Sequence, residues 1–169
     1  SCYDMNDVAE LMVKFDILGL RTLTAIHKTA KMVGISPANI DLDSEEIYKN
    51  LSNLRTPHGL FQIEADANYM VCKKIKPKNI EELSAVIAIA RPGAMDFISH
   101  YERYSRTGEF QSIHEFFDDV LNYTGGIPLY QEQLMKMAVK IGFTLDESEQ
   151  IRRIVGKKKI DQIPKCKNK

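Results

Sequence analysis

The chain has 169 residues, 44% of them hydrophobic; this suits one compact domain with a smaller appendage and excludes an intrinsically disordered tract. No window reaches the roughly 18 consecutive apolar residues of a membrane helix, and the N-terminus lacks the basic stretch and apolar run of a secretion signal, so a cytoplasmic location and no membrane partner are expected. Formal net charge is zero, but residues 152–169 set eight basic side chains against Asp161, a local +7, while the first 151 residues set 15 basic against 22 acidic, or −7.

The chain begins at Ser1 without an initiator Met, directly in the polar segment YDMNDV, as an excised piece of a longer protein or a tagged chain would. Val13 to Leu18 alternates polar with apolar residues, β-branched and aromatic members among them, and predicts a strand carrying Asp16. After Gly19, the residues Leu20, Leu23, Ile26, His27, Ala30 and Val33 fall at helical spacing, and Gly34 with Pro37 forms a stop signal. From there the sequence offers helix starts in which a carboxylate lies three residues past an N-cap and can return a hydrogen bond to the cap amide. The pairs are Asp43 with Glu46, Asn79 with Glu82, Ser112 with Glu115 and Asp146 with Glu149, opening helices near 44–53, 80–90, 113–121 and 147–155. Two more helices are expected near 66–76 and 129–141, the second ended by Gly142. Loops are expected at Arg91-Pro92-Gly93 and at Gly125-Gly126-Ile127-Pro128. The resulting class is mainly α, an irregular multi-helix domain with a short N-terminal strand. A lone strand leaves backbone donors and acceptors unmet, so it is expected to belong to a sheet completed by other chain.

Several residue types carry chemistry, each beside a plainer explanation. Asp16 on the strand is either a solvent-facing carboxylate or, if enclosed, one that needs a charge or metal partner. Asp41 and Asp43 have a spacing used by two-metal sites, but they precede a helix and suit capping. Lys73, Lys74, Lys76 and Lys78 gather at a helix C-terminus, where they complement the dipole or contact a phosphate backbone. Arg152 and Arg153 with Lys157 to Lys159 place five positive charges within eight residues, more than a helix end needs. Guanidinium forks match phosphate oxygens bidentately, so an anion site is the better reading there. His27, His58, His100 and His114 show no metal spacing, and Cys2, Cys72 and Cys166 lack close pairing, so structural or surface histidines and reduced thiols are expected.

Five segments, in order, resemble one family. VKFDILGLRTLTAI (Val13 to Ile26) resembles the palm segment of the bacterial C-family replicative DNA polymerases, the DNA polymerase III alpha subunits, that carries a third catalytic aspartate. GLFQIEADANYM (Gly59 to Met70), IAIARPGAM (Ile87 to Met95), LYQEQLMKMA (Leu129 to Ala138) and QIRRIVGKKK (Gln150 to Lys159) resemble successive elements of that family's fingers. The departures are Ala94 where proline is usual, a Gly-Gly before Pro128, Ile154 and Val155 in place of Ala-Met, and Ala65 in place of serine; none touches a charged position.

The resemblance implies a palm remnant over 1–34, a strand plus helix, and a helical fingers domain over 35–169. It implies DNA-directed nucleotidyl transfer in replication, with Mg2+ as cofactor in the complete enzyme. Asp16 would be a catalytic, metal-site carboxylate; the motif that supplies the other two palm carboxylates is not in this sequence, and Asp41 with Asp43 does not replace it. Arg152, Arg153, Lys157, Lys158 and Arg91 would bind the incoming deoxynucleoside triphosphate, and Lys73, Lys74 and Lys76 the template-primer DNA. The remainder of the alpha subunit and other replisome subunits are the implied protein partners. The alternative is a non-catalytic helical DNA-binding module that uses the basic 152–169 segment.

Overall fold

The computed structural model describes residues 2–4, 7–8, 11–12, 15 and 17–157. The chain divides into two compact units, Ser1–Asp41 and Leu42–Lys169. Among the described residues the regular structure is helical throughout: eight α-helices joined by loops and single 3-10 turns. The expected strand is not seen among them. Phe15, Ile17 and Leu18 are irregular and strongly exposed, and Val13, Lys14 and Asp16 lie outside the described residues.

In the first unit, α1 (Arg21–Val33) ends where Gly34 turns left-handed, with φ 72°, and the amides of Gly34 and Ile35 both donate to the Ala30 carbonyl. This is the stop anticipated from Gly34, and a 3-10 turn at Pro37–Asn39 follows it. Of the helix's apolar stripe only Ala30 is buried, while Leu23, Ile26, Met32 and Val33 are exposed.

The second unit holds α2 (Glu45–Asn53), α3 (Asp66–Ile75), α4 (Ile80–Ile89), α5 (Ile98–Thr107), α6 (Asp118–Leu121), α7 (Gln131–Lys140) and α8 (Leu145–Gly156). Its core forms where α3 packs on α4 and α5. Val71, Cys72 and Ile75 on α3 meet Ala85, Val86 and Ile89 on α4, both sets at helical spacing, with Tyr101 from α5 and Ile63 and Ile127 from loops. Each wholly buried Val or Ile contributes about 1.5–3 kcal/mol, and burial among them pushes the Cys72 thiol pKa up. Glu82 fixes the start of α4 and ties it to α5: one carboxylate oxygen accepts the Lys78 amide at 2.9 Å, the other the Ser105 hydroxyl at 3.0 Å.

Among the expected helix starts, Asn79 with Glu82 holds in part: the Asn79 side chain accepts the Glu82 amide at 2.8 Å, but the Glu82 carboxylate returns its bond to the Lys78 amide and not to that of Asn79. Three others move. Ser44 rather than Asp43 is the N-cap of α2. The stretch 113–121 is a 3-10 turn at Glu115–Phe117 followed by the one-turn α6; its cap is His114, whose ring nitrogen accepts the Phe116 amide, while Ser112 donates to Asp118. At α8, Thr144 and Glu147 form the reciprocal capping pair, two residues before the expected one. α5 was not anticipated: it starts from a 3-10 turn at Met95–Phe97 with no side-chain cap, and buries only Tyr101.

The Gly-Gly departure has a steric cause. A Cβ on Gly125 would lie 2.5 Å from the Tyr104 ring, and one on Gly126 would lie 2.0 Å from the Gln111 carbonyl oxygen. Both residues also have positive φ, 67° and 91°. The loop thereby fits beneath α5, and His100 bonds the Gly125 carbonyl at 2.9 Å.

Candidate functional site: a groove rimmed by arginines

Three of the segments singled out by sequence line one groove. The loop over residues 59–65 is pinned by Ile63, which enters the core, and by Leu60, whose carbonyl accepts the Ile63 and Glu64 amides. This leaves Phe61, Gln62 and Glu64 exposed around the groove. Gln62 adopts φ 66°, a left-handed conformation uncommon outside glycine, and its carbonyl accepts the Asn68 side-chain amide. Ile87 and Ala88 of α4 form part of the wall, and Arg91 stands just past the helix end. The Arg91 carbonyl accepts the Ala94 amide at 3.0 Å, closing a turn with Pro92 second and Gly93, φ 94°, third, an order that favours a type II turn. The guanidinium therefore leaves from a stiff base.

The third wall is the start of α7. Gln133 is fully buried; its oxygen accepts the Leu129 and Tyr130 amides, each at 2.9 Å, while its nitrogen donates to the Thr124 hydroxyl at 2.8 Å and the Val120 carbonyl at 3.3 Å. One amide thus locks the helix start to the glycine loop. Tyr130 stacks on Tyr123, and Gln131 and Glu132 stand exposed at the groove edge. Two adjoining cavities of about 360 and 410 Å3 result, sharing Gln62, Ile87 and Arg91.

The fourth segment joins from α8, which pairs with α7 as a helical hairpin turned at Gly142. Arg152 donates from Nε and Nη2 to the two oxygens of Glu149, both at 2.6 Å, and from Nη1 to Gln131 Oε1 at 2.8 Å, linking α8 to the groove rim. Arg153 donates from Nε to Glu149 Oε1 at 2.8 Å; its side chain is 66% exposed, against 27% for Arg152. Hydrogen bonds from Arg152, then Arg153, hold the Glu149 pKa down to about 2, and the same carboxylate raises that of Arg152. Lys157 is the exposed C-cap of α8. Lys158 and Asp16 lie outside the described residues.

The lysine cluster does not converge. Lys73 Nζ donates to the Leu54 carbonyl at 3.0 Å and the Ser52 carbonyl at 3.4 Å, capping the end of α2. Lys74 bonds Ser99 and pairs with Glu102, and Lys78 donates to the Ser105 carbonyl at 2.7 Å. Lys76 is exposed at the left-handed C-cap of α3.

Sequence reasoning overlooked Gln62, Gln131 and Glu149 as site residues. Glu149 was hidden by its expected capping role, which belongs to Glu147; its position three and four residues before Arg152 and Arg153 was the available signal.

Residues 22–169 match the family described as the bacterial DNA polymerase III alpha subunit finger domain. The DNA polymerase III subunit alpha of Thermus aquaticus is 34% identical over 177 aligned residues, covering 96% of this chain and 14% of that protein. That of Pseudomonas aeruginosa is 36% identical over 194, covering 98% and 16%, and that of Aquifex aeolicus 34% over 179, covering 99% and 15%. The chain thus spans about one seventh of the length of these relatives. With nearly its whole length matched and its motif segments assembled around a single groove, the chain belongs to the bacterial DNA polymerase III alpha subunit finger domain family.

Proposed function

We propose that this chain serves as the fingers of a replicative DNA polymerase and that the arginine-rimmed groove receives the triphosphate of the incoming deoxynucleotide. The observation that carries the reading is the meeting of Arg91, on its stiff turn, and Arg152, through Gln131, at one cavity built from separate motif segments. Arg153 and Lys157, both exposed, extend the cationic rim along the end of α8, and Lys158 follows in sequence.

In DNA synthesis the primer hydroxyl attacks the α-phosphate and negative charge builds on the departing pyrophosphate. N–H donors already aimed at those oxygens lower the barrier without reorganising during the step. Arg91, Arg152 and Arg153 are the groups assigned to this role. Lys76 is the lysine this reading directs at a template-primer phosphate; Lys73 is committed to the end of α2, and Lys74 would have to leave Glu102. The partners are template-primer DNA, deoxynucleoside triphosphates and the remainder of the alpha subunit with its replisome subunits.

Residues 1–34, carrying Asp16, would contribute one carboxylate and one strand to the palm of the complete enzyme, with residues 35–169 as fingers. Two Mg2+ ions require a cluster of carboxylates. Among the described residues no three His, Cys, Asp or Glu side chains come together as ion ligands, so the described part does not fit the metal pair and its role is electrostatic.

The test is steady-state kinetics of the complete polymerase bearing Arg152→Ala with Arg153→Ala. The Michaelis constant for nucleotide should rise about 10- to 100-fold, the loss expected for charged hydrogen bonds. An unchanged nucleotide constant with weakened DNA binding would reassign the pair to the nucleic acid.

A further inference from the structure

Arg152 and Arg153 share one acceptor, and that acceptor is not free to be anywhere else. Glu149 sits one helical turn earlier on α8, 31% exposed, between two guanidinium groups that reach back to it from positions i+3 and i+4. A guanidinium has five N–H donors. For Arg152, one from each of Nε, Nη2 and Nη1 is taken by Glu149 and Gln131; one donor remains on each terminal nitrogen, and the plane of the group is fixed from two sides. The two fixing residues come from different helices, so the orientation is defined relative to the groove and not merely to α8. Arg153 is held at Nε alone, and among the described residues its terminal nitrogens have no hydrogen-bond partner. A side chain with several free torsions loses much rotamer entropy when it binds. Holding it beforehand removes part of that cost from the binding step.

We infer that Glu149 and Gln131 are positioning residues, which orient the Arg152 and Arg153 guanidinium groups so that their remaining N–H donors meet phosphate oxygens. This rests on the triphosphate reading of the groove and assigns no contact between Glu149 and nucleotide. A carboxylate beside an anion site also repels the anion, so the opposite role, competition with the triphosphate, makes the opposite prediction and is decided by the same measurement.

The experiment uses the complete polymerase, with deoxynucleoside triphosphate as the varied substrate and DNA affinity and melting temperature followed in parallel. Glu149→Gln keeps the size and removes the charge; Gln131→Ala removes the second support without touching α8. Each should raise the nucleotide Michaelis constant, Glu149→Gln about fivefold or more, and lower kcat with it, while DNA affinity changes little. Glu149→Asp should recover part of the loss. Added to the double arginine variant, Glu149→Gln should change the nucleotide constant no further, as expected for residues acting through the same groups. An unchanged constant in both single variants overturns the inference while leaving the triphosphate reading intact, and a lowered constant in Glu149→Gln replaces positioning by competition. If the arginine variant itself leaves nucleotide kinetics untouched, the reading of the groove fails and the inference falls with it.

Discussion

At the scale of single residues, Glu149 concentrates the electrostatics of the groove rim. Its pKa in the folded chain is depressed to about 2, below the roughly 4.3 of a free glutamate. A depressed carboxylate pKa contributes stability that is fully present above the unfolded value and disappears as pH falls through the folded one. Melting temperature should therefore drop between about pH 4.3 and pH 2, and Glu149→Gln should flatten that part of the profile while leaving the slope above pH 5 unchanged; an identical acid limb in the variant would remove Glu149 from the titration. The paired arginines were evident in the sequence as excess positive charge. Their acceptor was not, because a glutamate three residues after an aspartate reads first as a cap, and only the backbone shows that Thr144 starts α8.

Among the elements, the start of α7 bears the greatest constraint. Gln133 satisfies two helix-start amides and reaches across to Thr124 and the Val120 carbonyl with no exposure to solvent. Gln133→Leu keeps the volume but strands those amides, and should destabilise the chain by about 2–4 kcal/mol in denaturant titrations; a loss under about 1 kcal/mol would mean the amides find other partners. The main-chain pattern explains which elements the sequence revealed. α3, α4, α7 and α8 carry strong apolar periodicity or a reciprocal cap, and their expected spans agree with the observed ones to within two residues. α5, as long as α3, α4 and α7, has no reciprocal cap: it begins from a 3-10 turn, and its apolar positions Ile98, Tyr101 and Tyr104 stand among seven polar residues. It forms because Tyr101 enters the core and because Glu82 and Lys78 bond its Ser105. These are long-range contacts that no local window contains. The gathering of Phe61, Arg91 and Gln131 at one groove has the same origin, since each lies in a separate segment.

For the molecule as a whole, the family match gives the chain its context: it belongs to the finger-domain family and spans about one seventh of the length of its relatives. The core of the second unit encloses Cys72 at 1% exposure, with a raised thiol pKa, whereas Cys2 is exposed. Thiolate is the reactive form, so burial and a raised pKa both protect this sulfur. In native buffer near neutral pH, a maleimide should modify Cys72 about 1,000-fold or more slowly than Cys2. Comparable rates would show that the α3–α5 packing opens freely. Because Cys72 becomes reactive only when those helices part, it serves as a built-in stopwatch: its modification rate, followed by peptide mass, times the breathing of the fingers without any probe having been introduced.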